Sequence, residues 1–458
     1  MLNKQAIGCI ALAGWLLALL SACGGGAGPV SFSQPPPASG ITFSGTVSSG
    51  SQPITGSSVS VWTANPTPGA PATRLATATT GSNGQYSLNL PVVPANGQLI
   101  YLLAAGGDAG NGNNAAIGLM TVAGNFCAPG SNCGFSNPVV LNEFTTVASV
   151  YSLAAFVQIT GGNVNVSGGS PGLRNAALTF ASLVDASSGT ESFQNAGACG
   201  GSGEPDNCSA LRKLNTLGNV LAACVDSNGA GSVAGANLFQ QTSASAGTLS
   251  AVFNLATQAA VRNDGAGMFS LAGAASVYAP SLASAPGDWT LAVSYGGGGL
   301  YQPAGIAIDA AGHVWVADYQ QPAGAVSEFA PDGTPLSGTS GYSGGGLMGS
   351  FGIALDAQGN AWVANWNGGN GTSVTELAAD GTPLSGSNGF TGGGLLGPIA
   401  VAIAPTGTLW AADSGNSAIS QLNAAGQASG PFTGGGLGYP IALAVDTGGD
   451  VWVANQGS

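Results

Sequence analysis

Three textures of hydrophobic and polar residues divide this 458-residue chain. From Ile41 to about Ala105, apolar and small polar residues alternate with period two, as in Gly45-Thr46-Val47, Val59-Ser60-Val61 and Tyr86-Ser87-Leu88-Asn89-Leu90. Alternation of that kind sends successive side chains to opposite faces and predicts short, half-buried strands. Ser82-Asn83-Gly84, between the runs Leu75 to Thr79 and Gly84 to Leu90, predicts a hairpin turn. From roughly Asn111 to Ser284 the spacing lengthens to three and four: Phe144, Val147, Tyr151 and Ala154; Leu173, Ala177, Phe180 and Val184; Leu211, Leu214, Leu217, Leu221 and Cys224. Such stripes predict helices that bury one face. Asn142-Glu143 and Asp206-Asn207 stand ahead of two of them as N-cap candidates.

After Asp288 the alternation returns as an internal repeat. Gly305-Ile306-Ala307-Ile308-Asp309, Gly352-Ile353-Ala354-Leu355-Asp356, Ala400-Val401-Ala402-Ile403-Ala404 and Ala442-Leu443-Ala444-Val445-Asp446 each precede a Gly and then a strand centred on Trp315, Trp362, Trp410 or Trp452. The Trp spacings are 47, 48 and 42. A third strand follows as Val326 to Phe329, Val374 to Leu377 and Ile419 to Leu422, and a Gly-Gly-Gly-Leu turn ends at Leu300, Leu347, Leu395 or Leu437. One four-stranded blade per repeat is the arrangement that stacks radially into a propeller. The fourth unit stops after its second strand, and about four blades are the minimum for a ring. The expectation is therefore that the protein continues in further blades, or that Trp289 to Ser294 supplies an outer strand.

Both β-regions resemble known families. Gly45-x-Val47, Pro53-Ile54-x-Gly56-x-x-Val59-x-Val61, Thr80 and Asn83-Gly84-x-Tyr86-x-Leu88 resemble the carboxypeptidase regulatory-like, transthyretin-like sandwich. That resemblance implies a spacer or docking module. Gly305-Ile306-Ala307-Ile308-Asp309, a turn Gly, then Val314-Trp315-Val316-Ala317-Asp318 is similar to the NHL-repeat group and, within it, to the propeller of virginiamycin B (streptogramin) lyases, over about Gly296 to Ser458. Blades of this type serve binding and scaffolding as well as catalysis.

The lyase resemblance implies a histidine base and acidic residues holding magnesium near the propeller axis. His313 is the one histidine, and it falls in the first hairpin turn, where the other repeats put Asn360, Thr408 and Asp450. It is the candidate base and also an ordinary polar turn residue. Asp309, Asp356 and Asp446 open Asp-x-x-Gly turns in which a carboxylate caps backbone amides, and Ala404 takes that place in the third repeat. Asp318, Asn365, Asp413 and Asn455 end the second strand of each repeat. They are either strand caps or a ring of oxygen ligands for a divalent cation, Mg2+ or Ca2+.

Composition narrows the classes. Only 5% of residues are charged and the net charge is −13, with eleven acidic residues and no Lys or Arg from Asp288 onward. Nucleic acid and anionic polymers are therefore excluded as expected ligands of that part. Val, Ile, Trp and Phe recur regularly among the 78 glycines, which argues for small-residue β-structure over disorder.

At the start, Lys4 precedes an uncharged run from Ala6 to Leu20, about 15 residues where a membrane-spanning helix needs roughly 20. Leu20-Ser21-Ala22-Cys23 resembles the bacterial lipobox, which implies cleavage before Cys23 and acylation of that cysteine, an anchor held by about 0.8 kcal/mol per buried methylene. Gly24, in place of Asp, favours the outer membrane. Export makes disulfides the expected fate of Cys127, Cys133, Cys199, Cys208 and Cys224. Cys127 and Cys133 flank one turn-forming loop, Cys199 and Cys208 another, Cys224 competes for the second pair, and one thiol is left over.

The chain is thus expected to be a multidomain, mainly β lipoprotein. A signal peptide spans 1–22, a Gly/Pro-rich tether 23–40, the β-sandwich 41–106, a helical, disulfide-containing domain 107–285, and an incomplete β-propeller of NHL-like blades 286–458. The expected function is an envelope binding or interaction platform with no cofactor, facing a protein, glycan or small-molecule ligand and no nucleic acid. The alternatives are a tethered streptogramin-lyase-like enzyme and a structural spacer or adhesin.

Overall fold

Strands form where the period-two alternation stands, and two more lie past the expected boundary at residue 106. They are β1 (Thr42–Ser49), β2 (Gln52–Pro53), β3 (Ser58–Thr63), β4 (Thr73–Thr79), β5 (Gln85–Asn89), β6 (Leu99–Ala105), β7 (Gly118–Asn125) and β8 (Val139–Leu141). The structure is a computed structural model that describes residues 41–91, 94–125, 136–160, 162–192, 199, 208–245, 247–273, 276–319, 324–331 and 333–457. The signal peptide, the tether with Cys23, the Cys127 and Cys133 loop and Asp206-Asn207 lie outside the described residues.

One sheet runs β2-β1-β5 with β8 parallel to β1, and the other runs β4-β3-β6-β7. Phe43, Val47, Val59, Val61, Leu88, Ile100 and Leu102 fill the space between them. A Cβ at Gly45 would lie 1.7 Å from the Val139 carbonyl oxygen, so only glycine lets β8 approach β1. The expected hairpin at Ser82-Asn83-Gly84 is corrected: β4 pairs with β3 and β5 with β1, so this turn carries the chain from one sheet to the other. Alternation marks a strand but not its partner, and a tight turn serves an arch as readily as a hairpin.

Among the described residues seven α-helices follow: α1 (Glu143–Leu153), α2 (Ser170–Leu183), α3 (Cys208–Val225), α4 (Val233–Thr242), α5 (Thr248–Thr257), α6 (Ala259–Arg262) and α7 (Gly265–Ala272). Two small hairpins, β9 (Val157–Thr160) with β10 (Asn163–Val166) and β11 (Val184–Asp185) with β12 (Thr190–Glu191), interrupt them. Asn142 caps α1, its side chain accepting from the Thr145 N–H while Thr145 Oγ1 accepts from the Asn142 N–H. The helices do not form a separate body. Leu99, Tyr101, Met120 and Val122 of β6 and β7 share one core with Val147, Leu173, Leu214, Leu221 and Val252, so β6 and β7 are buried on both faces. Each such buried side chain contributes about 1.5–3 kcal/mol, and that layer binds sandwich and helices together. Among the described residues no helix is long and apolar enough to cross a membrane.

The Trp289 to Ser294 segment belongs to this core and supplies no outer strand. Trp289 is wholly buried, with its indole N–H donating to the Asp264 carbonyl and its own carbonyl accepting from the Tyr151 hydroxyl. Burying that large ring outweighs what strand pairing at an open edge would offer.

The blades begin at β13 (Pro303–Ile308), paired with β14 (Val314–Asp318) and β15 (Ala325–Phe329), and a single bridge to Tyr342 stands in for its fourth strand. The second blade is β16 (Ser350–Leu355), β17 (Ala361–Asn365), β18 (Ser373–Leu377) and β19 (Phe390–Thr391). The third is β20 (Pro398–Ile403), β21 (Leu409–Asp413), β22 (Ala418–Leu422) and β23 (Ala428–Phe432), and β24 (Pro440–Val445) pairs with β25 (Val451–Asn455). The first strands of successive blades pack on one another and so lie innermost. Each repeats the same irregularity in its pairing, at Pro303/Gly305, Ser350/Ile353, Pro398/Ala400 and Pro440/Ala442. Trp315, Ala317 and Val326 of one blade meet Ile353, Val363 and Leu377 of the next, and Trp362, Ala364 and Val374 meet Val401, Ala411 and Leu422. In the Gly-Gly-Gly-Leu turns, Gly346 has φ +86° and a Cβ there would come within 2.1 Å of the Gly389 nitrogen, which fixes glycine at that place.

Candidate functional site

The turn between β13 and β14 gathers the chemistry of the first blade. Asp309 closes β13, and its Oδ1 accepts from the backbone N–H groups of Ala311 (2.7 Å) and His313 (2.8 Å). That is the capping role the Asp-x-x-Gly pattern predicts. The free Oδ2 lies 3.2 Å from His313 Nδ1, and Glu328 Oε1 of β15 lies 3.0 Å from the same nitrogen. The Tyr342 hydroxyl donates to the other oxygen of Glu328 at 2.6 Å. Glu328 is buried while the His313 side chain is one-third exposed, at 33%. Among the described residues, Asp309, His313 and Glu328 form a group whose ligand atoms all lie within 4.8 Å of one another. The His313 ring thus lies between Asp309, which follows the innermost strand, and Glu328 of the third strand of its blade.

The same turn in the second blade is closed by an amide. Asn360 Nδ2 donates to Asp356 Oδ2 (3.0 Å) and to Glu376 Oε1 (3.2 Å). The third blade has Ala404, Thr408 and Gln421 at these places. Glu328 and Tyr342 escaped the sequence reading. The signal was present, since Glu328 and Glu376 stand at the same place in the third strands, but alternation gives no hint that they face the turn.

The four strand-end residues each hydrogen-bond within their own blade, although Asp413 Oδ1 is buried without a partner. Asp318 Oδ1 accepts from the Tyr301 N–H (3.3 Å) and Oδ2 from the Ser327 hydroxyl (2.7 Å). Asn365 accepts from the Met348 N–H (3.2 Å) and donates to Ser373 and Thr375. Asp413 accepts from the Ser420 hydroxyl, and Asn455 from the Gly438 N–H at 3.2 Å. Tyr301, Met348 and Gly438 each follow the Leu of a Gly-Gly-Gly-Leu turn, so these side chains clamp that turn to the end of the second strand. Burial raises the carboxyls of Asp318 and Asp413, the latter up to about 7.

Two further groups lie outside the blades. Cys199 and Cys208 form a disulfide with Cα atoms 5.4 Å apart, and Cys224 is a buried free thiol pushed up to about 11 by desolvation. Glu143, the first residue of α1, is wholly buried; one carboxylate oxygen accepts from the Gly50 N–H (3.2 Å) and the Tyr278 hydroxyl. The Ser49 hydroxyl stands beside Glu143 without completing a hydrogen bond, so Oε1 is unpartnered, and desolvation pushes this carboxyl up to about 7.

The sequence matches no protein-family model and no curated protein. Several solved structures are similar over part of it. A virginiamycin B lyase from Staphylococcus aureus is 16% identical over 34% of this chain and 49% of its own, with a TM-score of 0.24. A gluconolactonase from Xanthomonas campestris is 18% identical over 38% of this chain and 61% of its own, with a TM-score of 0.28. A nidogen/laminin complex contributes a chain that is 26% identical over 34% of this one and 57% of its own, with a TM-score of 0.26. The chain spans about half the length of the lyase structure it matches. The activities in those descriptions belong to those proteins; this chain is a mainly β protein ending in propeller-type blades.

Proposed function

We propose that this chain is an envelope lipoprotein, anchored through Cys23, whose blades are a binding platform for a protein partner. The observation that carries the reading is where apolar surface is left uncovered. Of the twelve exposed large apolar side chains among the described residues, ten, from Tyr301 to Trp452, lie on the blade array. Leu336 (42%), Met348 (45%) and Leu384 (51%), on loops of the first two blades, are exposed, whereas Ile353 (8%), Val401 (8%), Trp315 (1%) and Trp362 (3%) are covered between blades. Apolar side chains left exposed mainly on one part of the molecule suit a protein partner. The absence of Lys and Arg from Asp288 onward disfavours an anionic polymer. Against the lyase alternative, His313 faces the third strand and has an asparagine as its counterpart in the next blade.

Photo-crosslinking in cells tests the reading, with a reactive side chain at Met348 or Leu384 and a control at Val233 on α4, which is 80% exposed. Discrete crosslinked products at the blade positions and none at Val233 are expected. Absence of products at both blade positions overturns the platform. Magnesium-dependent ring opening of a streptogramin by the purified chain, abolished by His313→Ala, would put the lyase in its place.

A further inference from the structure

We propose that the first blade carries a site for a divalent transition metal, held by Asp309 Oδ2, His313 Nδ1 and Glu328 Oε1 with a fourth position open to solvent. The inference is independent of the platform role.

The argument comes from comparing one blade with its neighbours. In the second blade the two carboxylates are satisfied by ordinary donors: Asn360 Nδ2, which carries two protons, serves Asp356 and Glu376, and the Trp362 indole N–H adds a bond to Asp356 Oδ2 at 3.2 Å. In the fourth, the Trp452 indole donates to Asp446 Oδ2 at 3.1 Å. The first blade keeps both carboxylates and changes three things around them. Histidine replaces the amide, so a nitrogen that carries at most one proton faces two carboxylate oxygens, at 3.2 and 3.0 Å. The Trp315 indole nitrogen is buried without a partner, so Asp309 Oδ2 lacks the donor its counterparts have. Tyr342 stands where the other blades have Phe390 and Phe432, and its hydroxyl holds Glu328 by Oε2, leaving Oε1 turned to the imidazole.

All three changes leave ligand lone pairs converging on one point. Ligands bound at about 2.0–2.1 Å around a tetrahedral ion lie roughly 3.3 Å apart, close to the 3.2 and 3.0 Å that separate Asp309 Oδ2 and Glu328 Oε1 from His313 Nδ1. Imidazole with two carboxylates suits Zn2+ and its neighbours, whereas Ca2+ and Mg2+ favour all-oxygen sets. Tyr342 is a positioning residue that orients a ligating carboxylate. Charge points the same way, because no Lys or Arg follows Asp288 to neutralise the pair. Binding releases any proton on Nδ1 and breaks no covalent bond.

The test uses the full chain stripped with a chelator, titrated with Zn2+ against a chromophoric competitor and with Co2+ by visible absorption. His313→Asn and Tyr342→Phe each write a second-blade residue into the first, so both variants are expected to fold. The wild type is expected to bind one more equivalent than His313→Asn and to show tetrahedral Co2+ bands that the variant lacks. Tyr342→Phe is expected to bind about 10-fold more weakly. Equal stoichiometry and affinity in wild type and His313→Asn, or no Zn2+ uptake at all, overturns the site.

Discussion

Replacing Glu143 by Gln removes a charge from the junction of sandwich and helices, and the structure sets the size and sign of the effect. Desolvation raises this carboxyl from 4.5 to about 7, opposed by the hydrogen bonds from Tyr278 and Gly50. A group whose folded value lies above its unfolded one stabilises the fold at low pH, and that contribution disappears as pH rises through the folded value. For this shift the loss is about 2.5 kcal/mol between about pH 5 and about pH 8. Glutamine keeps the carbonyl that accepts from Gly50 and Tyr278, and it offers an amide to the unpartnered Ser49 hydroxyl. Urea denaturation across that range is the assay. The wild type should weaken as pH rises, and Glu143→Gln should flatten most of the slope and be the more stable protein at the alkaline end. Asp413 is pushed up to about 7 as well, so a residual slope in the same direction should persist in Glu143→Gln and become smaller in the double variant with Asp413→Asn. A Glu143→Gln protein with the wild-type slope, or one less stable at the alkaline end, refutes the reasoning.

Three other outcomes follow from the geometry. Asp318→Ala leaves the buried Ser327 hydroxyl and the half-buried Tyr301 N–H without their acceptor and should cost about 1–3 kcal/mol; Asn455→Ala, at an exposed strand end, should cost under about 0.5 kcal/mol, and equal losses in denaturant melts would remove the clamp explanation. Replacing Cys199 and Cys208 by Ala opens a loop of sequence separation 9 and should lower stability by about 2.5 kcal/mol, while peptide mapping after thiol labelling should find Cys224 unmodified until the protein unfolds. Cys23→Ala should move the protein from the membrane fraction to the soluble one and abolish fatty-acid labelling; retention at the membrane would remove the lipid anchor from the proposal.

Much of the architecture was legible along the chain. The period-two runs gave β1, β3, β4 and β5, the three-and-four stripes gave α1, α2 and α3, and the Trp repeat gave the blades, because each pattern is a local consequence of which face of a strand or helix is buried. Asn142 as the cap of α1 was legible for the same reason, its side chain reaching only three residues ahead. The Asp-x-x-Gly turns too were readable, since Asp309 caps amides two and four residues away.

Tertiary structure alone decided what depends on partners distant in sequence. That β4 and β5 enter different sheets, that β8 returns to lie beside β1, and that the helices share a core with β6 and β7 are choices among strands and faces that look alike in one dimension. The candidate site is of the same kind. His313 and Asp309 are four residues apart and could be paired from the sequence, but Glu328 and Tyr342 arrive from the third strand and the loop beyond it, brought in by blade register. Their gathering around His313 is a property of the folded sheet, because hydrogen bonding and coordination act over about 3 Å while the chain between Asp309 and Tyr342 runs through two strands.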